Sequence, residues 1–164
     1  MATLERLEGD EKLIKCTPMD EDCVPIRSMF LTCDCDDWLN DLVNKTSDRG
    51  EEELMDQVLK KIHHYLTAPK VHIGAFYSKS YIWYMRTPDL RIFGFFYRPG
   101  VFIAVCGGEK KDIMKADGYK KLFRKTMDVS DRLGLDLPKY MTRTLAADRR
   151  INWERIYDYP QKYL

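Results

Sequence analysis

The sequence of 164 residues lacks the features that would assign it to a membrane or to secretion. No apolar run approaches the ~20 residues needed to cross a bilayer, since the stretch 92–105 is broken by Tyr97, Arg98, Pro99 and Gly100. No basic-then-apolar signal stands at the start, and the five cysteines are an odd number, which argues against a disulfide framework. We therefore expect a cytoplasmic protein without a membrane partner.

Metal-ligand spacing is also lacking. Four of the five cysteines lie in the first 35 residues with six, nine and one residues between them, unlike the short pairs of structural zinc sites. His63 and His64 stand near the predicted end of a helix, where a surface pair suits the negative end of the helix dipole. The sequence predicts neither a metal site nor a cofactor.

The composition indicates a globular chain with one core. Hydrophobic residues make up 45% of the sequence, aromatic residues 12% and charged residues 32%. We find no internal repeat and no low-complexity segment. The predicted organisation is an acidic extension over 1–22, an α+β domain over 23–136, and a tail over 137–164 packed on that domain.

The charges are segregated along the chain, although the net charge is only +1. Residues 1–59 carry 6 basic and 16 acidic side chains, a net charge of −10, whereas residues 60–164 carry 21 basic and 10 acidic ones, a net charge of +11. A fold that gathers the basic segments would attract phosphate, which makes RNA or DNA a candidate partner. The alternative is that acidic and basic segments pack together and neutralise each other.

Hydrophobic periodicity predicts the order of elements. A short strand within 23–31 is followed by helices at 34–43 and 51–66, then by aromatic strands over 71–105, and by a helix at 116–133. A further helix is predicted at 142–156. The fold class is α+β: an antiparallel sheet of three to five strands, preceded by a helical hairpin and followed by a basic helix, with a C-terminal helical tail.

The residues at the ends of the predicted strands are a more specific family signal than the order of the elements. The segment YIWYMR at 81–86 ends in arginine, and LRIFGFF at 90–96 has an arginine near its start. A Pro-Gly hairpin leads to the apolar VFIAV at 101–105, and EKKD at 109–112 precedes the last predicted helix of the domain. In this order the features resemble the RelE/HigB toxin superfamily, especially its phage-related HigB-like branch, over roughly 24–133.

The resemblance implies a toxin of a toxin–antitoxin system. Such a protein is a metal-independent endoribonuclease that cleaves mRNA, usually at the ribosome, and it is neutralised by a cognate antitoxin protein. The alternatives are a non-catalytic, phage-related interaction protein and a ParE-like gyrase inhibitor, since the fold also occurs without ribonuclease activity.

The resemblance also implies site residues. Arg86 and Arg91 match the arginines at the family's strand ends, where they would hold the scissile phosphate, and Lys110 and Lys111 match its Lys-Lys loop as phosphate ligands, acids or bases. The predicted RNA-binding residues are Tyr84, Tyr97, Tyr119, Lys120 and Arg124. Alternatively, the arginines pair with the acidic helices, and the lysines belong to an ordinary solvated loop.

Two departures from the family pattern stand out. The chain is longer than the usual members at both ends, and its three histidines all precede the aromatic strands, so a catalytic histidine is not carried over. Because alternate residues of a strand point to opposite faces, most of Trp83, Phe93, Phe95 and Phe102 are expected in the core rather than in a stacking platform.

Overall fold

The α+β class is confirmed by a computed structural model, which describes residues 2–46, 53–69, 76–79, 82–98, 100–115 and 117–135. For 76–79 only the backbone is described. The elements in chain order are α1 (Leu4–Gly9), β1 (Leu13–Lys15), β2 (Ser28–Thr32), α2 (Cys33–Asp41), α3 (Leu54–Thr67), β3 (Phe76–Lys79), β4 (Ile82–Arg86), β5 (Leu90–Arg98), β6 (Val101–Glu109), α4 (Lys110–Ile113) and α5 (Gly118–Leu133).

The six strands form one sheet in the order β1-β2-β6-β5-β4-β3. Strands β3 to β6 make an antiparallel meander, and β1 is antiparallel to β2. The expected sheet of three to five antiparallel strands needs correction, because β2 pairs in parallel with β6 and β1 adds a sixth strand. A parallel pair requires a long crossover, which the chain between β2 and β6 supplies with two helices and three strands.

The first 22 residues take part in this sheet. Leu7 of α1 and Leu13 of β1 are only 4% and 2% exposed. The segment predicted as an acidic extension therefore contributes an edge strand and core side chains. The predicted tail, including its helix, lies outside the described residues.

One face of the sheet is covered by α2 and α3. In α3, Leu54, Val58, Ile62 and Leu66 recur every fourth residue, and all four are at most 5% exposed. Helix α2 is capped by Thr32, whose hydroxyl accepts from the Cys35 N–H at 3.3 Å.

The opposite face is covered by α1, α4 and α5, and we call it the α5 face. The α5 side chains Tyr119, Leu122, Phe123, Val129 and Leu133 pack on it. The helix ends at Gly134, which adopts a left-handed conformation with φ of 67° that glycine accommodates without strain. The basic side chains of α5 are exposed.

The aromatic strands supply most of the core, as expected. Trp83, Phe93, Phe95 and Phe102 are all at most 2% exposed. Phe93 and Phe95 lie on the α5 face, whereas Trp83 and Phe102 lie under α2 and α3. These four rings are therefore unavailable for stacking on a base. Within the described part of the chain, no helix is long and apolar enough to span a membrane.

Candidate functional site

Two arginines and two tyrosines converge on the α5 face at the end of the sheet nearest the β4–β5 turn. Arg86 of β4 and Arg91 of β5 are direct cross-strand partners. Leu90 and Ile92 belong to the core under α2 and α3, so alternation along the strand puts Arg91 on the α5 face. Tyr84 and Tyr119 pack on the same face. We call these four residues the arginine–tyrosine cluster.

Arg91 is the most buried member of the cluster, with an exposure of 7%. Its Nη1 donates to the backbone carbonyls of Thr87 and Leu90, at 2.8 and 2.7 Å. Its Nε is buried and has no hydrogen-bond partner in the part of the chain that the structure describes. Across the described residues no carboxylate lies within ion-pair distance of Arg91.

The pairing of Arg86 with Arg91 sets two positive charges opposite each other. Side chains in direct cross-strand register stand ~5 Å apart at their Cβ atoms, and like charges there are destabilising. The charge of Arg86 also reaches Lys61 of α3, whose pKa is lowered, first by burial and then by Arg86. The cluster therefore brings two positive charges onto neighbouring strands at one end of the sheet.

The two tyrosines form an aromatic wall beside the arginines. The Tyr84 ring lies 5.2 Å from that of Phe93 and 5.8 Å from that of Tyr119, measured between centroids. Burial raises the pKa of Tyr84 to about 12, and the neighbouring Tyr119 phenol, with which it shares a hydrogen bond, adds to the rise. The Tyr84 hydroxyl, like that of an ordinary tyrosine, is protonated at neutral pH, and the raised pKa makes it a weaker acid.

The Lys-Lys segment lies at the same end of the sheet. Lys110 begins α4, and its backbone N–H donates to the Asp89 carbonyl in the β4–β5 turn at 2.7 Å. Both lysine side chains are exposed, and Lys111 lies 3.9 Å from the carboxylate of Glu109. The structure therefore brings this segment next to the turn from which Arg91 extends.

Three predicted RNA-binding residues are not part of the cluster. Tyr97 stands six residues beyond Arg91 on β5, a distance of ~20 Å along an extended strand. The Arg98 guanidinium lies over its ring, with Cζ 4.2 Å from the ring centroid. Lys120 and Arg124 are exposed on the side of α5 that faces away from the sheet. Lys120 lies 3.8 Å from Asp117. Only an extended ligand could reach these positions together with the cluster.

A network around Gln57 of α3 is the feature that the sequence did not reveal. Gln57 is 6% exposed, and its Nε2 donates to the Asp89 carboxylate at 2.6 Å. Its Oε1 accepts from the Thr87 hydroxyl at 2.9 Å and from the Asp89 N–H at 3.2 Å. The signal was a glutamine directly beside Val58 on an otherwise apolar helix face, where a buried polar side chain needs partners.

Among the described residues, one ion pair joins the basic part of the chain to its acidic first third. The Lys125 ammonium of α5 lies 3.5 Å from the Asp34 carboxylate of α2, so basic and acidic helices touch beyond the sheet edge. This contact is far along α5 from Tyr119, by six residues or ~9 Å of helix rise.

Comparison with known proteins leaves these residues to be judged on their geometry. No protein-family model, no curated protein and no solved structure matches the chain. Among the described residues, no group of three or more histidine, cysteine, aspartate or glutamate side chains is arranged to hold a metal ion.

Proposed function

We propose that the chain is a toxin of the RelE/HigB type, a metal-independent endoribonuclease that cleaves mRNA at the arginine–tyrosine cluster. The observation that carries the proposal is the buried Arg91 guanidinium, which has a free Nε and no carboxylate partner within the described residues. A buried cation in this state is costly unless it binds an anion. The proposed partners are mRNA, the ribosome and a cognate antitoxin protein.

The planar shape of the Arg91 guanidinium would allow it to hold a phosphate. The two bonds from Nη1 to backbone carbonyls fix the plane of the Arg91 side chain. The remaining Nε–Nη2 edge is a two-pronged donor, which matches two oxygens of a phosphate. Arg86, on the neighbouring strand, supplies a second positive charge to the same phosphate. Charge that accumulates on the phosphate oxygens in the transition state would be stabilised by both side chains.

The cleavage step needs a base and an acid besides this clamp. The ribose 2′-hydroxyl loses a proton to the base and attacks the adjacent phosphorus, and the bond from phosphorus to the 5′-oxygen breaks as that oxygen receives a proton. Lys110 or Lys111, in the segment beside the β4–β5 turn, would be the base. Tyr84, protonated at neutral pH, would be the acid.

The substrate would be single-stranded RNA. Sequence-tolerant proteins hold unpaired bases on aromatic side chains next to a basic site. Tyr84 and Tyr119 are half-buried and offer such surfaces next to Arg91, whereas a base paired in a duplex could not reach them. A nucleotide flanking the scissile phosphate would stack at this wall.

The test is cleavage of an end-labelled, single-stranded RNA by the purified protein in the presence of EDTA, with and without ribosomes. We expect fragments that end in a 2′,3′-cyclic phosphate and begin with a 5′-hydroxyl. A DNA of the same sequence should bind without being cut, because it lacks the 2′-hydroxyl.

The variants Arg91→Ala and Arg132→Ala form a matched pair for this assay. Arg132 is exposed in the last turn of α5, thirteen residues or ~20 Å of helix rise from Tyr119, and its replacement should leave cleavage unchanged. Arg91→Ala should abolish cleavage while the thermal unfolding curve stays cooperative. Equal activity of the two variants would disprove the proposed site.

A second candidate function is binding without cleavage. The observation that favours it is that Arg91 already anchors the β4–β5 turn through two carbonyls, a structural role that needs no chemistry. A protein of this kind would retain RNA in the assay above and release no fragments. A gyrase inhibitor would instead block DNA supercoiling by gyrase and would not bind RNA.

A further inference from the structure

We propose that Gln57 of α3 is a positioning residue that holds the Arg91 guanidinium in the orientation required to bind phosphate. The inference rests on the function proposed above. Gln57 lies on the opposite side of the sheet from Arg91, so it acts through the β4–β5 turn and touches neither the arginine nor a ligand.

The connection passes through Thr87. The Thr87 hydroxyl donates to Gln57 Oε1 at 2.9 Å and accepts from the Leu90 N–H at 3.0 Å. The carbonyl of the same residue accepts from Arg91 Nη1 at 2.8 Å. Any movement of Thr87 that follows the loss of Gln57 therefore displaces an acceptor on which the Arg91 guanidinium depends.

A second connection passes through Asp89 to the lysine segment. The Asp89 carboxylate and N–H are both bonded to the Gln57 amide, and the Asp89 carbonyl accepts from the Lys110 N–H. The same glutamine thus fixes the turn at two residues, one leading to Arg91 and the other to α4. Catalytic geometry is sensitive to such support, since a shift of ~1 Å can cost about 100-fold in rate.

The packing of Gln57 explains why its role is positional. It is 6% exposed and stands beside Val58, on a helix face whose other inward residues are mainly apolar. A buried amide requires its hydrogen bonds, whereas an apolar side chain of similar size would fill the same space without them. The polar side chain therefore specifies where the turn sits, beyond filling the core.

The test exchanges the hydrogen-bonding roles of residues 57 and 89. In Gln57→Glu, the new carboxylate faces the Asp89 carboxylate at the 2.6 Å contact and repels it. In the double variant Gln57→Glu/Asp89→Asn, the new amide donates to the new carboxylate, so the hydrogen bond returns in reverse with no change in net charge. Val58→Ala is the control, since it weakens the neighbouring core contact without touching the network.

The first readout does not involve RNA. The Nε–H resonance of Arg91, assigned by its disappearance in Arg91→Lys, reports on the guanidinium in an NMR spectrum of nitrogen-labelled protein. We expect its exchange with water to be faster by ~10-fold or more in Gln57→Glu, because the turn opens more often, and to return in the double variant. Val58→Ala should leave it unchanged.

The second readout is kcat for RNA cleavage, which should fall ~10- to 100-fold in Gln57→Glu and recover in the double variant. The inference would be overturned, even if RNA is cleaved, if the exchange rate of the Arg91 Nε–H is the same in Gln57→Glu as in the wild type. It would also be overturned if the double variant does not restore the wild-type rate. If Gln57→Glu does not fold, Gln57→Met takes its place, because it fills the same space without the hydrogen bonds and should also speed the exchange of the Arg91 Nε–H. A resonance that responds in a protein inert towards RNA would refute the proposed function and support the positioning of Arg91.

Discussion

Replacement of Arg91 by lysine and by alanine separates the two contributions that a guanidinium makes to RNA binding. Lysine keeps the positive charge and loses the planar fork, whereas alanine loses both. If the Nε–Nη2 edge of Arg91 binds a phosphate, the two variants should differ in their response to salt. Both variants should bind the nucleic acid more weakly than the wild type does.

The magnitudes follow from the geometry. Nη1 is committed to the carbonyls of Thr87 and Leu90, so a phosphate can receive two charge-assisted bonds from Nε and Nη2. Lysine would supply one in place of two, and a hydrogen bond to a charged group is worth ~1.5–3 kcal/mol, about a 10- to 150-fold change in Kd. Removal of one charge also lowers the salt slope for single strands by ~0.7.

The assay is fluorescence anisotropy with a labelled single-stranded DNA, which cannot be cleaved by attack of a 2′-hydroxyl, over about 50 to 200 mM salt. Arg91→Lys should give a line parallel to the wild type at weaker affinity, and Arg91→Ala a shallower line. Arg132→Lys, at the far end of α5, is the control and should coincide with the wild type. An unchanged Kd for Arg91→Lys would refute the phosphate fork.

Two further predictions concern the scaffold and pH. Thr32→Ala removes the cap of α2 and the bond from the buried hydroxyl to the Val105 carbonyl, 2.9 Å long, which should cost ~1–2 kcal/mol and lower Tm by ~2–8 °C in differential scanning calorimetry. Tyr84 has a raised pKa in the folded state, so the unfolded chain releases that proton first and stability should fall between pH 10 and about 12. Tyr84→Phe should show a smaller fall in denaturant titrations over that range, and an equal fall would contradict the assignment.

The parts of the fold that depend on local pattern could be predicted from the sequence. The four-residue spacing from Leu54 to Leu66 indicated α3, and the Pro-Gly pair at 99–100 marked the β5–β6 hairpin, in which Gly100 has φ of 74°. The parallel pairing of β2 with β6 could not be predicted in this way, because the two strands are 68 residues apart between Thr32 and Val101. No local signal specifies such a contact.

In the candidate site, too, some features could be predicted from local sequence and others depend on contacts between distant segments. The strand ends identified Arg86 and Arg91, and the register places them opposite each other. Tyr97 lies on the same face, but its six-residue separation from Arg91 along one extended strand already implies a distance of ~20 Å. Gln57 was missed because its partners belong to a turn thirty residues later in the chain.

The position of Arg91 links the two layers of the fold. Its side chain lies on the α5 face, where burial beside aromatic rings strengthens its attraction for an anion. The turn that orients it is held by α3 on the opposite face. A buried cation of this kind lowers stability, and proteins retain such groups mainly where a ligand needs them. The network through Thr87 is therefore the structural support that keeps this charge in one orientation, and under the proposed function that orientation would be the one that binds a phosphate.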